Sequence, residues 1–240
     1  MKIAFYCTLI LLPPLSAIGQ NGLTLSFPVI YSNVEIRDNW TPPTAVGGYK
    51  EYLEGSAVGY GANLNYSFQP RFFIKDKHFF VNIGIGYFKQ RFDVKRPFDY
   101  NTQVQPIYYT DYYSYHNWQW IVGLMYNYPF KKFILTANVS YTELKSFRQE
   151  YTPTSRLPST YGFFTQTNHQ QIDFGKMLNL SLGIKRNLGD RFSVGLNVLI
   201  PVYVQWRNDE IFKDDPSTFY SPEFSLGSSI CITYNLKEKQ

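Results

Sequence analysis

Residues 58–68 read Val58-Gly59-Tyr60-Gly61-Ala62-Asn63-Leu64-Asn65-Tyr66-Ser67-Phe68. Every even position is apolar or aromatic, and every odd one is Gly, Asn or Ser. A period of two means a β-strand with two distinct faces. The wet face of a soluble sheet normally carries Lys, Glu, Arg or Thr, because it meets bulk water. Here the polar face is small and uncharged. Such residues suit a crowded polar interior with the apolar face turned outward to hydrocarbon, the inside-out pattern of a transmembrane β-barrel.

The same alternation recurs in eight segments, at about 22–32, 55–68, 79–92, 114–128, 132–147, 170–186, 191–206 and 222–235. The count is even, so both ends of the barrel fall on one side. Three connections are short: residues 69–78, Pro129-Phe130-Lys131, and Asn187-Leu188-Gly189-Asp190. The other four, around 33–54, 93–113, 148–169 and 207–221, are long. Short turns on one rim and long loops on the other is the arrangement of bacterial outer-membrane barrels.

Outward-phase aromatics recur eight residues apart in four segments: Tyr60 and Phe68, Phe79 and Tyr87, Trp118 and Tyr126, Phe133 and Tyr141. Eight residues of tilted strand climb about 20 Å, close to the apolar band between two aromatic girdles. Aromatic residues make up 19% of the chain, with 21 Tyr and 20 Phe, and two water–lipid boundaries give these amphipathic rings a place to sit. The opposite phase carries Asn82, Gly84 and Gly86, then Asn117, Gln119 and Gly123, Thr136, Asn138 and Ser140, Asn179, Ser181 and Gly183, and Ser193, Gly195 and Asn197. Eight strands enclose only enough room for side chains, so a plugged, hydrogen-bonded lumen is expected rather than a pore. The Asn-x-Ser triplets at Asn65, Asn138 and Asn179 are then pairs of consecutive lumen positions.

The chain opens on Met1-Lys2, an apolar run over residues 3–12, and Ser16-Ala17-Ile18-Gly19. That pattern reads as an export signal, residues 1–19, with the barrel domain occupying 20–240. Cys7 lies inside the signal, which leaves Cys231 as the single cysteine of the mature chain and rules out an internal disulfide. Its phase, shared with Ser225, Gly227, Ser229 and Thr233, places it indoors as a small filler. Mean hydropathy is −0.27, as expected when alternate residues cancel in any window.

Charge is uneven. The short-turn side and the tail hold Arg71, Lys75, Lys77, Lys131, Lys132, Lys185, Arg186, Arg191, Lys237 and Lys239 against Asp76, Asp190 and Glu238. The long-loop side is mildly acidic through residues such as Glu51, Glu54, Asp209, Glu210, Asp214 and Asp215. A basic rim facing the periplasm would attract anionic headgroups of the inner leaflet.

No phosphate-binding glycine loop, metalloprotease helix, Cys-x-x-Cys or nucleophile-elbow motif occurs. No catalytic, cofactor-binding or metal-ligating residue is assigned, no cofactor is expected and no nucleic-acid partner is implied. His78 lies near the turn rim, and His116 and His169 lie toward the loop rim. Ser114 and His116, with Asp111, Ser159 or Asp173 approaching, form the one constellation that a lipid-modifying site at the outer rim would use. Pro28 and Pro201 each remove a ladder donor, which marks a bulge or a locally opened wall beside the last strand. The stretch Tyr108-Tyr109-Thr110-Asp111-Tyr112-Tyr113-Ser114-Tyr115 offers large contact area at small entropic loss, which suits a recognition surface.

The signal, the eight alternating segments, the two kinds of rim and the closing strand over residues 224–234 resemble the small eight-stranded outer-membrane barrels of the OmpA/OmpX type, a porin-like family. The family usually ends on a terminal aromatic, whereas here Tyr234 is followed by six further residues. The resemblance implies an all-β, antiparallel, up-and-down barrel in the cell outer membrane of a Gram-negative bacterium. It further implies contact with outer-membrane lipids, lipopolysaccharide and the barrel assembly machinery. The expected role is structural or surface-interacting and non-enzymatic, with an extracellular ligand or an envelope protein as partner. Two other classes are a lipid-modifying barrel enzyme and an accessory subunit of a secretion or transport assembly. A soluble lipocalin-like barrel would put the apolar face inward and leave Asn and Gly outdoors, which the scarcity of mid-strand charge opposes.

Overall fold

The computed structural model describes residues 21–38, 51–70, 76–97, 108–152, 166–169, 172–206 and 219–236. The proposed export signal and the ends of the long loops lie outside them. The described residues form nine strands: β1 (Asn21–Asp38), β2 (Glu51–Phe68), β3 (Phe79–Pro97), β4 (Tyr108–Phe130), β5 (Phe133–Thr152), β6 (Gln166–Asn168), β7 (Ile172–Leu188), β8 (Phe192–Trp206) and β9 (Phe219–Leu236). Each long strand pairs antiparallel with its neighbours in the chain, and β1 pairs with β9. Eight strands therefore close into a barrel. The three-residue β6 is an addition that extends the ladder of β5 beyond β7.

All eight expected segments are strands, but most run further toward the long-loop rim than the alternation indicates. The β3–β4 ladder, for example, continues to Pro97↔Tyr108. Two of the short turns are tight, with Lys131 (φ 54°) and Gly189 (φ 85°) in the left-handed region that lets the chain reverse between strands.

Side-chain direction follows the phase. Leu25, Leu64, Ile85, Val122, Leu135, Leu182, Val194 and Ile230 are all exposed on the outside. Their neighbours Ser26, Asn63, Asn82, Gln119, Thr136, Ser181, Ser193 and Ser229 are buried inside. The aromatic rows face out in register, with Phe79 opposite Tyr126 and Tyr87 opposite Trp118. An exterior apolar between two rows of rings, over an interior of amides and hydroxyls, is a surface only lipid can satisfy.

The interior has two tiers. In the lower one, Thr24 bonds its register partner Thr233 (2.9 Å), and amides and hydroxyls bond between strands that are not neighbours: Asn82 Nδ2 to Asn138 Oδ1 (3.2 Å), Thr136 Oγ1 to Asn197 Oδ1 (3.3 Å), and Gln119 Nε2 to Asn63 Oδ1. In the upper one, toward the level of Tyr87 and Trp118 and above, large apolar side chains join buried polar ones such as Ser32, Gln90, Asn117 and Ser146. Ile30, Val34, Ala57, Phe88, Phe92, Tyr113, Tyr115, Leu144 and Met177 form a contiguous buried cluster. The hydrogen-bonded plug continues around this cluster, through Ser32 with Ser225 (2.7 Å) and Gln149 Nε2 to Ser146 Oγ (2.8 Å). Gly59 makes room for the upper tier: a Cβ there would stand 2.2 Å from Phe88 Cζ.

Four single residues bear on the sequence reading, and the first corrects it. Lys185, counted among the basic rim residues, points into the lumen and is 7% exposed. Its odd phase, shared with Asn179, Ser181 and Gly183, decides its direction. Pro201 sits at a bulge, opposite Asn179, where the β7–β8 register shifts. At Pro28 the register is the same on either side, Ser26↔Asn63 and Val29↔Tyr60, but Phe27 and Pro28 have no ladder partner on β2, so the pairing is weakened there without a bulge. Cys231 is buried and free, as its phase indicates.

Candidate functional site

Above the upper aromatic row the outward face of β3, β4 and β5 changes character. Val81, Ile83, Ile85 and Tyr87 give way along β3 to Lys89, Arg91 and Asp93. Pairing sets these beside His116, Ser114 and Tyr112 of β4. The β4–β5 register then adds Arg148 opposite His116 and Glu150 opposite Ser114. A register shift between His116 and Asn117 leaves Phe147 as the extra residue on β5. A bulge turns its residue out of strict alternation, and Phe147 stacks on Trp118 at a ring separation of 5.3 Å.

The polar groups on this face bond to one another. The Tyr87 hydroxyl and His116 Nδ1 are 2.7 Å apart. The other ring nitrogen, Nε2, lies 3.5 Å from Glu150 Oε2 without the alignment of a hydrogen bond. Arg148 Nη2 holds the second oxygen of Glu150 at 2.6 Å. Arg91 Nε donates to Asp93 Oδ1 at 2.8 Å, and its guanidinium sits 4.3 Å above the Tyr112 ring. His116 lies beyond the lipid-facing row. Burial pushes its imidazole below the usual histidine value, opposed by Glu150 and reinforced by Lys89 and Arg148.

The outer-rim constellation read from sequence is brought together only in part. Ser114 and His116 share the face, and Tyr87 holds His116 Nδ1. The side chains of Asp111 and Asp173, and Ser159 altogether, lie outside the described residues. His169 is exposed, and His78 packs edge-on against Tyr126 at the turn rim. Among the described residues no group of His, Cys, Asp and Glu could hold a metal ion. Sequence reading missed Tyr87, Glu150 and Arg148 around His116, because they come from the two strands that flank β4 and only the register brings them to it.

A second polar feature lies in the lumen. A cavity of about 130 Å³ stands in the lower tier, lined by Asn82, Thr136, Asn138, Asn179, Ser181 and Lys185 among others.

An eight-stranded closed ladder, short turns opposite long loops, and a lipid-facing band between aromatic rows define an outer-membrane β-barrel. No protein-family model matches the chain, and no curated protein matches it in sequence. Similar solved structures include the outer-membrane protein OprG of Pseudomonas aeruginosa, at 8% identity and a TM-score of 0.48, covering 91% of this chain and 97% of that one. The attachment invasion locus protein Ail of Yersinia pestis aligns at 11% identity and a TM-score of 0.34, over 89% of this chain and 98% of its own. The outer-membrane protease OmpT of Escherichia coli aligns at 8% identity and a TM-score of 0.44, over 90% and 95%. The class rests on the wall and its exterior, which these resemblances accompany.

Proposed function

We propose that the protein is a non-conducting, non-enzymatic outer-membrane barrel that acts through the outward face of β3, β4 and β5 above the lipid band. On this reading the face binds phosphorylated sugars, as in the headgroup region of lipopolysaccharide. The observation that carries it is the conjunction on one face of Lys89, Arg91 and Arg148 with the rings of Tyr112, Trp118 and Phe147. Guanidinium groups match phosphate oxygens two at a time. Rings with a polar edge suit the boundary at which such headgroups begin. The buried cluster around Phe88, Phe92, Tyr115 and Leu144 supports a lumen without conduction.

The test is binding of purified lipopolysaccharide to the detergent-solubilised protein. The double variant Arg91→Gln/Arg148→Gln is expected to bind about tenfold or more weakly, the scale of losing hydrogen bonds to charged groups. Undiminished binding by the variant overturns the reading. In planar bilayers the protein is expected to give no conductance steps, and lipid A mass spectra are expected to be the same with and without it.

A further inference from the structure

Lys185 is the only charged side chain among the buried described residues. Its stem reaches into the lumen from β7, and its ammonium's one hydrogen bond among the described residues goes to Met125 Sδ on β4, at 3.8 Å. A thioether is a weak acceptor. No described carboxylate lies within ion-pair distance, and no acidic residue lines the cavity that Lys185 borders. Gly195 leaves the room this path needs, since a Cβ there would meet Lys185 Cγ at 2.7 Å and Cys231 Sγ at 2.9 Å. A charge taken out of water is retained where something of opposite sign offsets its desolvation. Here the fold clears space for the cation and supplies no anion.

The rest of the lining narrows what fills the gap. Thr136 and Ser181 line the cavity, with the Thr136 hydroxyl donating to Asn197 Oδ1. Asn82 Oδ1 and Asn179 Oδ1, both on lining residues, are buried acceptors without a donor. Buried carbonyl oxygens are normally satisfied. A ligand held by Lys185 brings a negative charge for its ammonium and a hydroxyl hydrogen for Asn82 Oδ1, whose amide bonds Asn138 beside Met125. The cavity's volume is about four times water's share of the liquid, so the ligand is compact.

From this we infer that the lower lumen is a binding site for a small hydroxylated anion of the hydroxycarboxylate class, held by Lys185. The site is separate from the outer face of β3, β4 and β5, and its test is independent of that face.

The probe is lactate, titrated calorimetrically into the folded full-length barrel in detergent, with lactamide as the uncharged counterpart. Wild-type protein is expected to bind lactate saturably and lactamide at least about tenfold more weakly, as losing a charge-assisted hydrogen bond requires. Lys185→Met is expected to lose lactate binding by a similar factor, and Lys185→Arg to retain it. Gly195→Ala leaves the charge in the chain but displaces the stem, and is expected to weaken lactate binding too. Folding of each variant is checked by heat-modifiable gel migration. If the variants fail to fold, the lactate–lactamide comparison on wild-type protein decides. Absence of saturable lactate binding, equal binding of lactamide, or undiminished binding by folded Lys185→Met each overturns the inference and leaves water as the occupant.

Discussion

At the scale of single residues, the lumen is built by pairing absences with excesses. Gly59 on β2 faces Phe88 on β3, and the ring takes the volume that a side chain at Gly59 would fill. Two predictions of opposite kind meet at this pair. Phe88→Ala empties fully buried volume and is expected to destabilise the barrel by about 3–5 kcal/mol, as for other buried Phe truncations. Gly59→Val overpacks the same spot and is expected to cost about 1–3 kcal/mol. Because both act on one volume, the double variant should be more stable than the sum of the two losses, by at least about 1 kcal/mol in a double-mutant cycle of urea unfolding in lipid vesicles. Simple additivity would mean that the ring does not occupy the glycine's space. Phe88 was legible as a lumen residue, since it shares the phase of Gly84 and Gly86. What it meets there was not, because Gly59 lies 29 positions away and only the β2–β3 register brings the two together. Lys185 shows the converse: its phase said inward, and its charge argued for the rim. Where a strand's period is unbroken, phase outranks residue type, because a one-residue slip would turn every neighbour inside out.

At the scale of elements, the wall is not uniform. The β8–β9 ladder has eight registered pairs, from Phe192↔Tyr234 to Leu199↔Gly227, and stops there. The flanking ladders go on, β7–β8 as far as Trp206 and β1–β9 as far as Phe219. Residues 200–206 and 219–226 therefore each lack one neighbour, and the unpaired stretch begins beside Pro201 and its bulge. Missing ladder bonds lower the free energy of local opening. Hydrogen exchange of the barrel in lipid nanodiscs is expected to run at least about tenfold faster over 200–206 than over 192–199, a difference of about 1.4 kcal/mol in opening. Equal protection of the two stretches would mean that the seam is zipped to its top. The sequence indicated a weakened wall here through Pro201, and a weakened pairing at Pro28, where the β1–β2 ladder skips two residues without a change of register. Strand number, order and facing were all legible from period two and turn chemistry. The upper ends were not, because residues 108–115 carry tyrosine in both phases and an alternation without contrast reads as loop.

At the scale of the whole molecule, everything depends on an exterior that is oilier than the interior. Trp118, Val122 and Tyr126 lie in one outward row of β4, at the upper edge, the middle and the lower edge of the band, and all three are exposed. Pairing places them beside Tyr87, Ile83 and Phe79 of β3, so the neighbouring strand repeats the same three levels. If lipid covers this face, an arginine at Val122 must carry its charge to the middle of the hydrocarbon, at a cost of about 2–4 kcal/mol. The same substitution at Trp118 or Tyr126 leaves the guanidinium within reach of headgroups and water, at about 0–1 kcal/mol beyond the lost ring contacts. Urea titration of the three variants in phosphatidylcholine vesicles is therefore expected to give a profile peaked at the central position. A barrel with water outside predicts the reverse order, since replacing the exposed Val122 would then be nearly neutral while the stacked Trp118 would lose its contact with Phe147. Because the two coverings invert the ranking of the same three residues, the sign of the difference between Val122→Arg and Trp118→Arg decides between them.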